Sequence, residues 1–573
     1  MLTRLNASRL SLGRASRLSP RGSLIRAAGP FAFGGVKVRW LLDFVNDPAG
    51  AQSRMTHDRG GNAMMRDAQG RWVWAPHNLV VQSASPTTQT ITVVSGAGYT
   101  VECTGSGSVA LSGAGTGTVS VGNPVTITAS STSLTLTVAG SVDTLWSYRS
   151  DMGGMADNPA TGNSYVPTTD APVYLPRIGH HKRNGSEWVN KGLLKEGQAT
   201  NLKIGLGTES VTVTSGQTYT LSVHGAATAV LSDAGTGTAT DGSHVTFTAS
   251  STTATITVSG SAVDDIVQLE LGGQPSSPIP TDGSAVTRAA DVMTQPAGTL
   301  PWPKPEVIGP ELVTNGTFDS DLSGWGIANS IWDNGEIKCS EGDFTQKIFE
   351  GSKLVQVSWD AGVLVGTRYR VRIRSAANSR DVGPFLYYYG SGPQSLIVNS
   401  AEGMLLNFIV EASQEVAFDN ISVREIKPLA LTIGMAGEVS YSDNALATEA
   451  GFVTWQDTQQ DQIRIYLDTR LTKQGTFQFV QVANGTLDSV DSEVLSPGLN
   501  VPFAFCTTHA STFVAAAVNG VALTTNTTPT ALPDLSATEV DLLPTFNGTV
   551  EWIAYWSEDI GDAGRLEGAS YGA

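Results

Sequence analysis

The stretch Ala110-Leu-Ser-Gly-Ala-Gly-Thr-Gly-Thr118 returns as Val230-Leu-Ser-Asp-Ala-Gly-Thr-Gly-Thr238, and Val125-Thr-Ile-Thr-Ala-Ser-Ser-Thr132 returns as Val245-Thr-Phe-Thr-Ala-Ser-Ser-Thr252. Ser95-Gly96 and Tyr99-Thr100 come back as Ser215-Gly216 and Tyr219-Thr220, so every pair is offset by the same 120 residues. A constant offset means one folding unit used twice. Inside each copy apolar residues alternate with hydroxyls, as in Thr135-Leu-Thr-Val138 and Thr255-Ile-Thr-Val258. A period of two puts the apolar side chains on one buried face of a strand and the hydroxyls on the wet face. The Gly-Thr-Gly runs read as hairpin turns and not as phosphate cradles, because neither a lysine nor a helix start follows. Residues 78–147 and 201–272 are therefore expected to be two copies of a small, immunoglobulin-like β-sandwich.

Working outward, the chain has 573 residues, too many for one core, so several domains are expected. Only 15% of residues are charged, glycine is abundant, and Ser and Thr recur throughout, which favours short strands and many turns. The fold class expected is all-β, a multidomain string of β-sandwiches. The net charge of −17 conceals a basic arm: no acid precedes Asp43, whereas Arg4, Arg9, Arg14, Arg17, Arg21, Arg26, Lys37 and Arg39 do. The acidic remainder argues against nucleic acid as a partner. The arm, residues 1–40, reads either as a docking segment for another protein or as a solvated tail, and it shares its Arg, Ser and Leu with transit peptides. No apolar run reaches membrane-spanning length, so no membrane insertion is expected. Cys103, Cys339 and Cys506, odd in number and far apart, read as buried thiols.

Residues 41–77 are assigned to an N-terminal attachment region, 148–200 to a connector and 273–308 to a proline-rich linker. The strings Gly192-Leu-Leu-Lys-Glu-Gly-Gln-Ala-Thr-Asn-Leu202, Val267-Gln-Leu-Glu-Leu-Gly272 and Ile279-Pro-Thr-Asp-Gly-Ser-Ala-Val-Thr-Arg-Ala-Ala-Asp291 resemble segments of modular tail-fibre or spike-type virion proteins of tailed bacteriophages. That resemblance implies a virion protein assembled in the bacterial host cytoplasm and held to other virion proteins by its N-terminal part. It also implies a homo-oligomer, with a trimer as the frequent case, and it carries no catalytic residues. Head and tail location stay open.

Further on, Glu311-Leu-Val-Thr-Asn-Gly-Thr-Phe-Asp319 and Val416-Ala-Phe-Asp-Asn-Ile-Ser-Val423 are similar to the opening and closing strands of carbohydrate-binding modules with a galactose-binding-like jelly roll, over 309–427. In that family a structural Ca²⁺ ties the first strand to the last, and Asp319 and Asp419 occupy the matching places. The alternative is an acidic residue at each of two turns. The final stretch, 428–573, resembles concanavalin-like lectin domains through Phe546-Asn-Gly-Thr-Val-Glu-Trp-Ile-Ala-Tyr-Trp556. Related glucanases carry Glu-x-Asp-x-x-Glu on one strand face. Here Glu539-Val-Asp541-Leu-Leu-Pro544 has proline for the third acid, so both carboxylates read as wet-face residues.

Saccharide binding needs an exposed aromatic ring to stack on a pyranose face, and Trp332, Tyr387, Tyr389, Trp455 and Tyr466 are the candidates. Strand alternation puts Tyr387 and Tyr389 on one face and Tyr388 on the other. The function expected is display of lectin-like modules that bind host-surface polysaccharide, without catalysis. A purely structural particle protein and a polysaccharide-degrading enzyme are the alternatives.

Overall fold

Alternation decides the strands. Along Ser133–Ala139, Leu134 and Leu136 are buried while their Ser and Thr neighbours face water, and the same holds for Ala254 and Ile256 along Thr253–Ser259. The computed structural model describes residues 32–377, 379–440, 449–469, 475–492 and 498–572, and it is nearly all β. Residues 1–31 of the basic arm lie outside the described residues.

The two copies have the same topology. Each pairs a four-stranded sheet with a three-stranded one, and the strand order of the first copy maps onto that of the second element by element. Tyr99 and Tyr219 both accept a hydrogen bond on the ring oxygen from the backbone five residues upstream, at 2.9 Å. Gly117 and Gly237, with φ of 152° and 153°, let the turn pass Val125 and Val245 where a Cβ would clash. Asn78 and Asn201 anchor the base of each copy: Asn78 Oδ1 accepts from Val80 N and Ser147 N, Asn201 Oδ1 from Lys203 N and Leu269 N.

The sandwich read over 428–573 is not confined to those residues. One of its sheets runs Arg177–Ile178, Leu193–Lys195, Gly548–Trp556, Ala430–Val439, Pro502–Ala510, Val514–Val518 and Val521–Ala522, with Trp40–Asp43 also paired to Gly548–Trp556. The opposing sheet runs Thr56–Asp58, Val292–Gln295, Val540–Leu542, Glu449–Thr458, Asp461–Asp468, Thr476–Ala483 and Thr486–Asp491. Segments read from sequence as attachment region, connector and linker thus supply strands to this sandwich, and Leu42, Phe44, Ile178, Leu193, Met293 and Leu300 are buried in its core. Burial drives the pairing: Leu42, Ile178, Leu193 and Met293 on these short strands turn into the core shared with the C-terminal strands.

The linker reading of 273–308 is corrected in the same way. Trp302 packs edge-on against buried Trp455 with ring centroids 5.1 Å apart, and Pro301 O accepts from Tyr555 Oη at 2.8 Å. The arm is corrected too. Ala32–Phe33 and Val36–Lys37 form a hairpin whose Phe33 is buried among Trp552, Trp556 and Tyr571, beneath the helix Gly561–Gly568.

The jelly roll is an insertion into this hub. Lys427 N donates to Glu306 O at 2.9 Å and its ammonium pairs with the Glu306 carboxylate, so the chain enters and leaves side by side. Between them a nine-stranded sheet system encloses Phe318, Phe344, Trp359, Tyr369, Phe408 and Phe418.

The stretches Gly192–Leu202, Val267–Gly272 and Ile279–Asp291 meet in a buried charge network. Arg177 bridges Glu196 and Asp291, each at 2.5 Å, Arg59 reaches Asp291 at 2.9 Å, and Arg288 reaches Glu196 at 2.9 Å. Glu270 accepts from Ser276 and Gln268 alongside. These strings join the hub to the second repeat; their role is architectural. Breaking a buried pair strands a charge and costs about 3–5 kcal/mol. Asp291→Ala, which leaves Arg59 and Arg177 without their shared carboxylate, should therefore lower stability by roughly that amount in urea unfolding followed by circular dichroism.

Candidate functional site

The strand Arg368–Arg374 reads Arg-Tyr-Arg-Val-Arg-Ile-Arg. Its period of two buries Tyr369, Val371 and Ile373 in the jelly-roll core and turns Arg368, Arg370, Arg372 and Arg374 outward. The neighbouring strand Asp381–Tyr389 pairs with it so that Arg370 faces Tyr387 and Arg368 faces Tyr389. Tyr388 points inward and stacks on Tyr369, 5.7 Å between centroids, while Tyr389 is 66% exposed.

Tyr387 is not an open platform. The guanidinium groups of Arg368 and Arg370 lie 4.4 and 4.3 Å from its ring centroid, and both pair with Glu411, which also accepts from the Tyr387 hydroxyl. Cation–π contacts and the shared carboxylate fix this group in place. The result is a rigid outward cluster of two guanidiniums, one carboxylate and one phenol, with the open Tyr389 ring beside it. Guanidinium forks and carboxylates hydrogen-bond the vicinal hydroxyls of a sugar, and an open ring stacks on its apolar face.

Trp332 is 42% exposed and held by a hydrogen bond from its indole nitrogen to Phe318 O at 2.6 Å. It lies on Gly326–Asp333, separated from Asp381–Tyr389 by three intervening strands, so Trp332 and Tyr389 form two patches and not one site. Trp455 is corrected outright: it is 2% exposed, donates to Leu535 O, and belongs to the sandwich core. Tyr466 is half-buried on the outward side of Asp461–Asp468 with the Arg464 guanidinium 5.0 Å from its ring.

No protein-family model matches the chain, and no curated protein matches it by sequence. Among solved structures it is similar to the carbohydrate-binding module of the Ruminococcus gnavus intramolecular trans-sialidase, at 12% identity over 25% of this chain and 83% of that one, with a TM-score of 0.20. It is similar to the leech intramolecular trans-sialidase at 16% identity and a TM-score of 0.21, over 25% of this chain, and spans 24% of that enzyme. The binding domain of botulinum neurotoxin serotype D follows at 13% identity and a TM-score of 0.20, over 25% of this chain and 36% of that domain. The weak structural neighbours include a carbohydrate-binding module and a toxin binding domain.

The calcium expectation at Asp319 and Asp419 does not fit the donors present. Burial, then the nearby Asp360 and Asp319 carboxylates, push the Asp419 carboxyl up, so the three acids do lie close together. One oxygen of each accepts a local hydrogen bond: Asp319 from the Thr317 hydroxyl, Asp419 from Asn420 N, and Asp360 from the Asn420 amide. Among the described residues no group of three His, Cys, Asp or Glu side chains is arranged to hold a metal ion. Dialysis against a chelator should accordingly leave the melting temperature unchanged within about 1 °C by scanning calorimetry.

Glu539 and Asp541 are both exposed, while Val540 and Leu542 between and after them are core. Burial and the Glu539 carboxylate push Asp541 up. They stand where wet-face residues stand, with Asp541 directly opposite Thr294 and Thr454.

What the sequence reading passed over is the arginine row. Its signal was present: four arginines at period two in a chain whose net charge is −17. Period two with charges on one side is a strand that turns a charged face to water.

Proposed function

We propose that this chain is a saccharide-binding display protein whose jelly roll meets the ligand through Tyr389 and the Arg368–Arg370–Tyr387–Glu411 cluster. The observation that carries this reading is the pairing of an open ring with a pre-positioned set of charged donors and acceptors on one rigid sheet. Such a surface spends little conformational entropy on binding. Trp332, anchored and half exposed, offers a second contact on the same module. Binding without catalysis fits Glu539 and Asp541, which lack a third acid in place of Pro544.

The wider proposal places the chain on the virion of a tailed bacteriophage as a fibre or spike, assembled in the host cytoplasm as a homo-oligomer, joined by its N-terminal part to other virion proteins and turned toward host-surface polysaccharide. The phage-like strings support it, and the buried network they build gives the rigid joint a display protein needs. Single-site saccharide affinities are weak, so several copies acting together would set attachment.

The test is affinity electrophoresis of the whole chain through gels cast with host-surface polysaccharide. Tyr389→Ala should weaken retardation about tenfold, the loss expected when roughly 1–1.5 kcal/mol of ring contact is removed. Undiminished retardation in that variant, or retardation abolished only by Trp332→Ala, would move the site off this face.

A further inference from the structure

A cavity of about 770 Å³ opens where the jelly roll meets the hub, and no residue singled out above for binding lines it. From the jelly roll it takes Gln356, Ser395, Ile397 and Asn399, which share the outward face of the paired strands Lys353–Val365 and Gly392–Ser400. From the hub it takes Asn484, Ser511, Thr530 and Asp534, with Trp302 forming part of the wall. Its size lies within the range of small-ligand sites, and clefts between domains are where such sites concentrate.

The chemistry of the lining selects a ligand class. Asp534 is the only charged side chain among the lining residues. The amide groups of Gln356, Asn399 and Asn484 make no side-chain hydrogen bond among the described residues, and the hydroxyls of Ser395 and Thr530 likewise stand uncommitted. Each amide offers two donor hydrogens and an acceptor, the complement of a sugar hydroxyl, which donates and accepts at once. Ser511 is 7% exposed and its hydroxyl has no hydrogen-bond partner among the described residues. A buried polar group left unpaired costs about 1–3 kcal/mol, which a hydrogen bond from a ligand would recover. Trp302 and Leu396 supply apolar surface between these groups. Nothing in the wall would neutralise an anion, since no lysine or arginine lines it.

We infer that this junction is a second binding site, for a neutral oligosaccharide, distinct from the arginine-lined face of the jelly roll. It rests on the saccharide-binding reading above and gives that reading a ligand class and a second location.

The experiment is isothermal titration of the full-length chain with neutral hexasaccharides cut from dextran, mannan and galactan, and with an acidic oligogalacturonate as the contrast. Gln356→Ala and Asn399→Ala remove surface amides without disturbing a core, and Ser511→Ala removes a hydroxyl that satisfies nothing in the protein. The inference expects at least one neutral hexasaccharide to bind, with each of the three variants weakening it about fivefold or more and Tyr389→Ala leaving that site intact. Ser511→Ala should keep or raise the melting temperature while it weakens binding, a combination that a purely structural serine would not produce. If Tyr389→Ala abolishes all binding while the three junction variants bind as the parent does, the junction site is overturned and the jelly-roll reading stands. If only the acidic ligand binds, the neutral class is wrong. If the parent chain binds none of them, the junction site is overturned; the jelly-roll reading then stands or falls on the host-polysaccharide gels.

Discussion

A chain that begins at residue 309 should fail to fold its C-terminal sandwich. Such a fragment retains every strand from Ala430–Val439 to Gly548–Trp556 but loses Trp40–Asp43, Arg177–Ile178, Leu193–Lys195, Thr56–Asp58 and Val292–Gln295. Gly548–Trp556 then keeps Ala430–Val439 on one side and loses both Leu193–Lys195 and Trp40–Asp43 on the other. An unpaired edge with a buried apolar face exposes Leu431, Phe452, Val550 and Ile553 where Leu42, Phe44 and Leu193 now cover them. Removing the eight buried side chains that residues before 309 give this core, at roughly 1.5–3 kcal/mol for each large one, exceeds the whole stability of an ordinary domain. The fragment should be insoluble or molten, without the sharp near-ultraviolet signal of packed tryptophans. The jelly roll alone, 306–427, should fold, because its core is closed and its two ends meet at Glu306 and Lys427. A cooperative melt from the 309–573 fragment that matches the hub transition of the whole chain would contradict this architecture.

Acid should unfold the protein well before its carboxylates titrate. Burial pushes His77 down to about 4 and His509 down to about 3, and it holds His180 well below the ordinary histidine range. His509 sits at 0% exposure and neither ring nitrogen has a hydrogen-bond partner among the described residues, so protonation would place a bare charge in the core of the hub. Each folded value lies below that of an unfolded histidine. The unfolded chain therefore binds the extra protons, and stability falls as pH drops from about 6.5 toward 4. At pH 5 His77 and His509 each cost roughly 2 kcal/mol. A second window follows for Glu196: burial alone would raise it, yet Arg288 and Arg177 hold it down to about 2, so its contribution is lost between about 4.5 and 2. Scanning calorimetry from pH 7.5 to 4.5 should show the hub transition falling by roughly 10 °C or more between pH 7 and 5, and His509→Gln should remove part of that slope. A flat profile across this range would contradict the buried neutral histidines.

The parts of this architecture that a sequence shows are those written in local periodicity. The repeat at 110 and 230 announced two identical sandwiches because alternation and turn glycines are local properties, and the strand orders agree. Tyr387, Tyr388 and Tyr389 alternate as a strand requires. What stayed hidden is non-local. Leu193-Leu-Lys195 looks like any short apolar run, and nothing near it says that its partner is Gly548–Trp556, more than three hundred residues away. Trp455 and Trp332 are both tryptophans on strands; only the opposing sheet buries one and leaves the other in water. Pro296 to Pro310 reads as a stiff spacer because proline cannot pair in a sheet interior, yet Trp302 within it docks on Trp455. The acids at Asp319 and Asp419 do come together, but Asp419 sits within the strand Glu415–Ile426 opposite Asp360, a pairing that sequence alone does not show.

Saccharide binding by the jelly-roll face is the claim on which the functional account depends. Its most direct measurement is a glycan array probed with the full-length chain made multivalent on beads, read side by side with Tyr389→Ala beads of equal loading. The account predicts a defined set of bound saccharides for the parent chain and a marked loss of that signal for the variant. Silence of the parent chain across the array, or an identical pattern from the two, would contradict it.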